Sequence, residues 1–246
     1  AIGTVITAVD HLMRGIFWPE SVYGVLRRKS FLSYVSDGED PRKLLVAWLV
    51  RVQGMSTRDL ADSLTAQQKE WAQEIKAKKT DDISKAMQAD LPEWLWDAFG
   101  KYPGEESREA LAKSLMYPAL LDLRANTMKT TREQLLAEMN ALGGRYQAIP
   151  TPYAPDGVRI MGKPALQNTV GFKAGMFEVQ DEGSQLLAYL LAPKRGEMVV
   201  DFCAGAGGKT LAIGAIMRST GRLYALDTSE RRLANLKPRQ ARSGLS

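Results

Sequence analysis

Cysteine and histidine are almost missing from this chain of 246 residues: it holds one of each, Cys203 and His11. A lone cysteine excludes an internal disulfide and a cysteine-rich zinc site. A lone histidine excludes a histidine cluster for a metal and a histidine-based triad built within the chain, and His11 reads as a helix residue near the chain start. Long apolar runs are missing too. Leu44–Val50 and Leu211–Met217 are far too short to cross a bilayer. The first ten residues carry Asp10 and no basic segment, so no signal peptide is read, and the absence of an initiator Met marks the chain as trimmed or partial. These absences predict a cytoplasmic protein that takes no metal and no membrane as partner.

What is present is an ordinary globular balance, 45% hydrophobic and 25% charged, in a length that suits two or three units. The net charge of +5 is not spread evenly. From Arg218 onward, Arg218, Arg222, Arg231, Arg232, Lys237, Arg239 and Arg242 face only Asp227 and Glu230, so this stretch carries the whole excess. Such a patch is either a footprint for a phosphate backbone or one solvated helix face.

Residues 1–90 read as a helical domain. Leu44, Leu45, Trp48 and Leu49 repeat at helical spacing, as do Trp71 and Ile75. Ser56 with Asp59 resembles a capping box ahead of Leu60 and Leu64. Residues 91–170 read as a small α+β domain that could face RNA. Pro92 and Gly100 bracket a helix over Glu93–Phe99. Leu121, Leu123 and Ala125 alternate with Asp122, Arg124 and Asn126, the pattern of a half-buried strand with a polar face. Thr130 with Glu133 caps a helix to Leu142 that Gly143 and Gly144 close, and Val158–Met161 is a further strand. From Gly171 the pattern is α/β: a strand at Phe177–Gln180, a helix over Glu182–Leu191 stopped by Pro193, and an apolar strand at Met198–Phe202. A Gly-rich turn and a helix through Met217 follow. After them come a strand at Leu223–Asp227 and a helix capped by Ser229 that Pro238 should kink. Strand–helix–strand–helix with apolar strands predicts a parallel, doubly wound, Rossmann-like sheet with buried strands, of which residues 171–246 supply a first part.

The chemistry concentrates at Asp201-Phe202-Cys203-Ala204-Gly205-Ala206-Gly207-Gly208-Lys209-Thr210. Glycines at a strand-to-helix turn permit positive φ and let a ligand approach the backbone, and the helix start offers free N–H groups. Two nucleotide motifs nearly fit. Gly208-Lys209-Thr210 supplies the end of a P-loop, but Cys203 stands where its first glycine belongs. Gly205 and Gly207 begin a dinucleotide fingerprint, but Thr210 replaces its third small residue. Two acids favour S-adenosylmethionine. A carboxylate at Asp201 would repel a pyrophosphate yet suits a cationic amino and sulfonium group. Asp227 ends the next strand, twenty residues after Gly207, where it could accept ribose hydroxyls or cap a helix.

This loop resembles the cofactor motif of the RsmB/Sun family of RNA 5-methylcytosine methyltransferases, whose usual form is D-x-C-A-A-P-G-G-K-T. Val179-Gln180-Asp181-Glu182-Gly183-Ser184-Gln185 is similar to that family's V-Q-D-x-x-S-Q, and Leu123-Arg124-Ala125-Asn126-Thr127-Met128-Lys129-Thr130 to its L-R-V-N-T-L-K-T. The resemblance spans roughly residues 91–246. It implies an S-adenosylmethionine-dependent enzyme forming 5-methylcytosine in RNA, rRNA or tRNA, with RNA as its partner. It implies that Cys203, Ala204, Gly205, Ala206, Gly207, Gly208 and Lys209 hold the methionine and adenosine parts, and Asp227 the ribose. It also implies a nucleophilic cysteine and a second cysteine that assists release, in T-C-S and P-C segments expected downstream of Ser246. No such segment occurs here, so no catalytic residue is assigned and Cys203 is read as part of the cofactor loop. Gly205 and Ala206 depart from the family's Ala-Pro, and the loop loses a rigid proline. The reading that stands against enzyme activity is an RNA-binding or assembly protein that kept the fold.

Overall fold

The computed structural model describes residues 18–101 and 105–246; His11 lies outside them. The chain divides after Pro118 into two compact units.

In the first unit the helical spacing is realised directly. Helices α1 (Trp18–Arg27), α2 (Lys29–Val35) and α3 (Pro41–Ala47) enclose a core with α4 (Ala66–Ala77); α3 runs on as a π-helix over Trp48–Val52. Asp40 starts α3 by accepting from the N–H groups of Arg42 and Lys43, with Pro41 in the first turn, where its missing N–H costs nothing. Leu44, Leu45, Trp48, Leu49 and Ile75 are all buried in this core, and Trp71 packs against it. The reciprocal bonds expected of Ser56 and Asp59 form, at 2.9 and 3.2 Å, but turns rather than a helix follow them. Leu60 and Leu64 reach the core all the same. The capping box that starts a helix is Thr65 with Gln68, at the head of α4. Next come α5 (Lys85–Gln88), α6 (Glu93–Phe99) and α7 (Glu105–Ser114), around Ala86, Trp96 and Ala112. The boundary expected at residue 90 therefore falls inside a compact helical unit.

The second unit holds two sheets. Strands β1 (Leu121–Ala125), β2 (Ala148–Pro150), β3 (Gly157–Ile160) and β4 (Phe177–Val179) form an antiparallel sheet in the order β2-β3-β1-β4. Helix α8 (Arg132–Leu142) covers one face, burying Leu135 and Met139 with Leu123, Ala125, Val158 and Phe177. Its capping box is Thr131 with Gln134, one residue beyond the expected Thr130 and Glu133. A one-turn helix, α9 (Val170–Lys173), precedes β4. Since β4 pairs with β1, the expected boundary at 170 splits a sheet.

The other face of β1 corrects the expectation of a half-buried strand. Asp122 and Arg124 are 3% and 4% exposed, because α10 (Glu182–Leu191) packs over them. Burial without partners would be costly, and both have partners. Arg159 grips Asp122 with two bonds of 2.8 and 2.9 Å, and the Arg124 Nε donates to the Gln180 carboxamide oxygen at 2.7 Å. Burial pulls the Arg124 guanidinium down from its ordinary pKa, and the Glu178 carboxylate pulls it back up. The polar face of this strand is thus interior and is not offered to RNA.

Strands β5 (Met198–Asp201) and β6 (Arg222–Ala225) are parallel, joined through helix α11 (Gly208–Ile216), with Met198 beside Arg222 and Asp201 beside Ala225. Val199 and Leu223 pack on Ala212, Ile213 and Met217 of that segment and on Ala188 of α10. The opposite face corrects the expectation of buried strands: Met198, Val200, Tyr224 and Leu226 are exposed there. The last helix breaks at Asn235 into α12 (Glu230–Ala234) and α13 (Leu236–Ser243). Pro238 lies in the first turn of α13, which it fits without losing a hydrogen bond, so the break precedes the proline instead of centring on it.

Candidate cofactor loop

The ends of β5 and β6 are stitched together by backbone bonds from Leu226 to the Asp201 carbonyl, 2.9 Å, and from Ala204 to the Leu226 carbonyl, 2.8 Å. Between them the loop doubles back. Gly205 and Gly207 take φ of +55° and +82°, a region costly to side chains, and Gly207 donates to the Ala204 carbonyl. At Gly207 there is also no room: a Cβ would come within 2.1 Å of the Leu236 side chain on α13.

Helix α11 starts at Gly208 with no side-chain cap. By contrast, Thr131, Thr169, Asp181 and Ser229 cap α8, α9, α10 and α12. Its first-turn N–H groups and the positive end of its dipole point out of the loop, an arrangement that favours an anionic or polar group. Lys209, in that first turn, is half-buried, and Cys203 is exposed.

Both acids are engaged within the protein. Asp201 is 8% exposed and accepts the Thr210 hydroxyl at 2.7 Å, bracing the end of β5 against α11 instead of facing the loop mouth. Asp227 accepts from the Gly205 N–H and the Ser229 N–H, each at 2.8 Å. Those two bonds, with Arg232 nearby, hold its carboxyl below the usual aspartate range. It therefore fixes the loop and leads into α12 at the same time. A carboxylate has about four acceptor positions, so two bonds leave capacity for hydroxyl groups.

The basic stretch is only partly a surface patch. Arg239 and Arg242 turn inward to Glu178 on β4, with contacts of 2.9 and 2.6 Å. Arg242 also lies over the Phe172 ring at 4.2 Å. Arg218 donates to the Thr127 carbonyl at 2.6 Å, while Arg222, Arg231, Arg232 and Lys237 stay exposed. The segment similar to L-R-V-N-T-L-K-T explains the rest of this docking. Asn126 donates to the Gly175 and Ser243 carbonyls, and Lys129 to the Ala174 and Arg242 carbonyls. The end of α13 thus sits in a socket of donors, as helix C-termini favour. Sequence reading did not find this role for Asn126, Lys129 and Glu178. Their partners lie 45 to 117 residues away in the chain, beyond the reach of any local pattern.

Among the described residues no group of side chains could hold a metal ion, and no helix is long and apolar enough to cross a membrane.

Residues 188–246 match the family model for the 16S rRNA methyltransferase RsmB/F, and residues 91–167 match that for the RsmF/B-like ferredoxin-like domain. The chain is 35% identical over 156 residues to the Synechocystis protein named "Probable ribosomal RNA small subunit methyltransferase B", covering 62% of this chain and 34% of that protein. It is 30% identical over 140 residues to the mouse 28S rRNA (cytosine-C(5))-methyltransferase, covering 50% of this chain and 30% of that one. The chain therefore spans about a third of the length of these relatives. The crystal structure of a methyltransferase homolog from Pyrococcus horikoshii superposes with a TM-score of 0.58 at 28% identity, over 66% of this chain and 52% of that one. Residues 188–246 thus match part of the RsmB/F methyltransferase domain and residues 91–167 its ferredoxin-like companion, in keeping with the parallel pair and the antiparallel sheet.

Proposed function

We propose that this chain forms the cofactor-binding part of an S-adenosylmethionine-dependent methyltransferase that makes 5-methylcytosine in RNA, with rRNA as the substrate class. The observation that carries the reading is the uncapped start of α11, set in a loop that Asp227 ties to the end of the neighbouring parallel strand. In this reading Cys203, Ala204, Gly205, Ala206, Gly207, Gly208 and Lys209 surround the methionine and adenosine parts, and the free acceptor positions of Asp227 take the ribose hydroxyls. The cofactor supplies an electrophilic methyl group. The protein's share here is to bind and orient: the first-turn N–H groups of α11 receive the carboxylate, and the positive φ of Gly205 and Gly207 keeps side chains out of its way. The names of the relatives, rRNA methyltransferases and one cytosine-C5 enzyme, support the substrate class. The match to the ferredoxin-like domain begins at residue 91, which supports treating 1–90, 91–170 and 171–246 as three evolutionary pieces even though 91–118 fold with the first.

The test is transfer of labelled methyl from S-adenosylmethionine to rRNA by the full-length protein, followed by nucleoside analysis, beside calorimetric titration with S-adenosylmethionine, ATP and NAD. Label in 5-methylcytosine is the expected outcome. Label on uracil or a base nitrogen would overturn the substrate reading, and binding of ATP or NAD with none of S-adenosylmethionine would overturn the cofactor reading.

A further inference from the structure

Arg239 is counted by sequence as one more surface cation. In the structure it is four-fifths buried and reaches in two directions at once. Its Nε and Nη2 hold the Glu178 carboxylate at 2.9 and 2.8 Å, and its Nη1 donates to the Ala206 carbonyl at 2.7 Å. Ala206 is the middle of the cofactor loop. Among the described residues no hydrogen bond is given by its N–H, and its neighbours Gly205 and Gly207 are both in the permissive positive-φ region. This stretch, where the resembling motif carries a rigid proline, is the part of the loop with the least intrinsic restraint.

We propose that Arg239 is a positioning residue for the cofactor loop: anchored on Glu178, it holds the Ala206 carbonyl and thereby presets the loop for its ligand. The inference rests on the cofactor reading given above. The anchor is stiff for a physical reason. Glu178 sits on β4 directly across from Arg124 and is buried, so its carboxylate is fixed by the sheet itself. A planar guanidinium can bridge a carboxylate and a carbonyl with separate N–H groups, which a single ammonium cannot match in the same geometry. A loop fixed before the ligand arrives loses less freedom on binding, so the fork at Arg239 should appear in cofactor affinity.

Arg242 provides the internal control. It pairs with the same Glu178 and belongs to the same helix, but makes no bond to the loop. If the arginines only fasten α13, removing either one should have the same consequence. If Arg239 positions the loop, only its removal should weaken the cofactor.

The experiment is calorimetric titration of the full-length protein with S-adenosylhomocysteine, with thermal unfolding of each variant alongside. Arg239→Ala should raise the dissociation constant roughly tenfold, the size of one hydrogen bond to a charged donor. Arg242→Ala should leave it within about twofold while lowering the unfolding temperature at least as much. Arg239→Lys keeps the stem and the charge toward Glu178, guards against a variant that fails to fold, and should lose affinity like Arg239→Ala. Adding Ala206→Pro to Arg239→Lys should recover most of the lost affinity, because the ring restrains the loop in place of the arginine. Equal weakening by Arg239→Ala and Arg242→Ala, or no rescue by Ala206→Pro, would overturn the positioning role. No binding by the unmodified protein would instead overturn the cofactor reading, and the inference with it.

Discussion

The two sheets of the second unit invert what their sequences advertise. Strand β1 alternates apolar and charged residues, yet both its faces are interior, with Asp122 and Arg124 as buried as Leu123. Strand β5 is a run of Met198, Val199 and Val200, yet Met198 is 69% and Val200 51% exposed. Alternation reports only that one face is chemically different. Whether that face meets water depends on whether another segment brings partners for it. Here Arg159, Gln180 and α10 close over the charged face of β1, and an ion-paired polar layer results. An apolar run likewise states a preference for burial, and what lies on each face of the sheet settles the outcome.

The comparison breaks most sharply at Glu178. Its carboxylate is shared by Arg239 and Arg242 and stands across the ladder from Arg124. Glu178→Ala should leave three guanidinium groups facing a buried void, and losing one partner of a buried ionic group costs about 3–5 kcal/mol. Urea denaturation of the purified protein measures this. A loss below about 1 kcal/mol would mean the polar layer is well solvated after all and that β1 is half-buried in the ordinary sense.

A smaller effect is expected at Asp227, on the parallel side. The Ser229 and Gly205 N–H groups, with Arg232, hold its carboxyl below the usual aspartate range. A folded pKa below the unfolded one contributes stability that is present above the unfolded value, about pH 4, and is lost as pH falls through the folded value. The protein should therefore shed part of its stability on acidification below about pH 4, and Asp227→Asn should lack that portion while differing least from the parent in strong acid. Thermal unfolding across that range is the measurement. Identical acid slopes for the two proteins would remove Asp227 as the stitch between loop and strand.

How much of this was legible follows from where the determinants lie. Helices α6 and α10 begin and end where the sequence places them, because Pro92, Gly100 and Asp181 act on their own neighbours. The glycine-rich turn between β5 and α11 was legible for the same reason: its glycines and the strand on either side lie within about thirty residues, one βαβ unit. The cap of α8 slipped by one residue because Thr130 and Thr131 precede Glu133 and Gln134 with identical spacing, and nothing local chooses between the pairs. The burial of Asp122 and Arg124 was not legible, since Arg159 and Gln180 are 37 and 56 residues away. Arg239 and Arg242 were misread as surface charge for that reason too: Glu178 lies 61 and 64 residues earlier.

The mildest test compares two valines, one in each sheet, that are opposite in environment. Val158 on β3 is fully buried beneath α8, while Val200 on β5 faces outward. Replacing valine by threonine keeps the shape and swaps a methyl for a hydroxyl, so the change reads the surroundings of that one group. Val158→Thr buries a hydroxyl in a core that is apolar around it, at a cost of about 1–3 kcal/mol. Val200→Thr leaves the hydroxyl in water and, as a surface substitution on a strand that tolerates β-branched residues, should stay within about 0.5 kcal/mol of the parent. Urea midpoints of the two variants settle it. A cost at Val200 equal to that at Val158 would show that the outward face of β5 is covered in solution, and the contrast between the two sheets would then lie in what the face packs against, with both faces of both sheets buried.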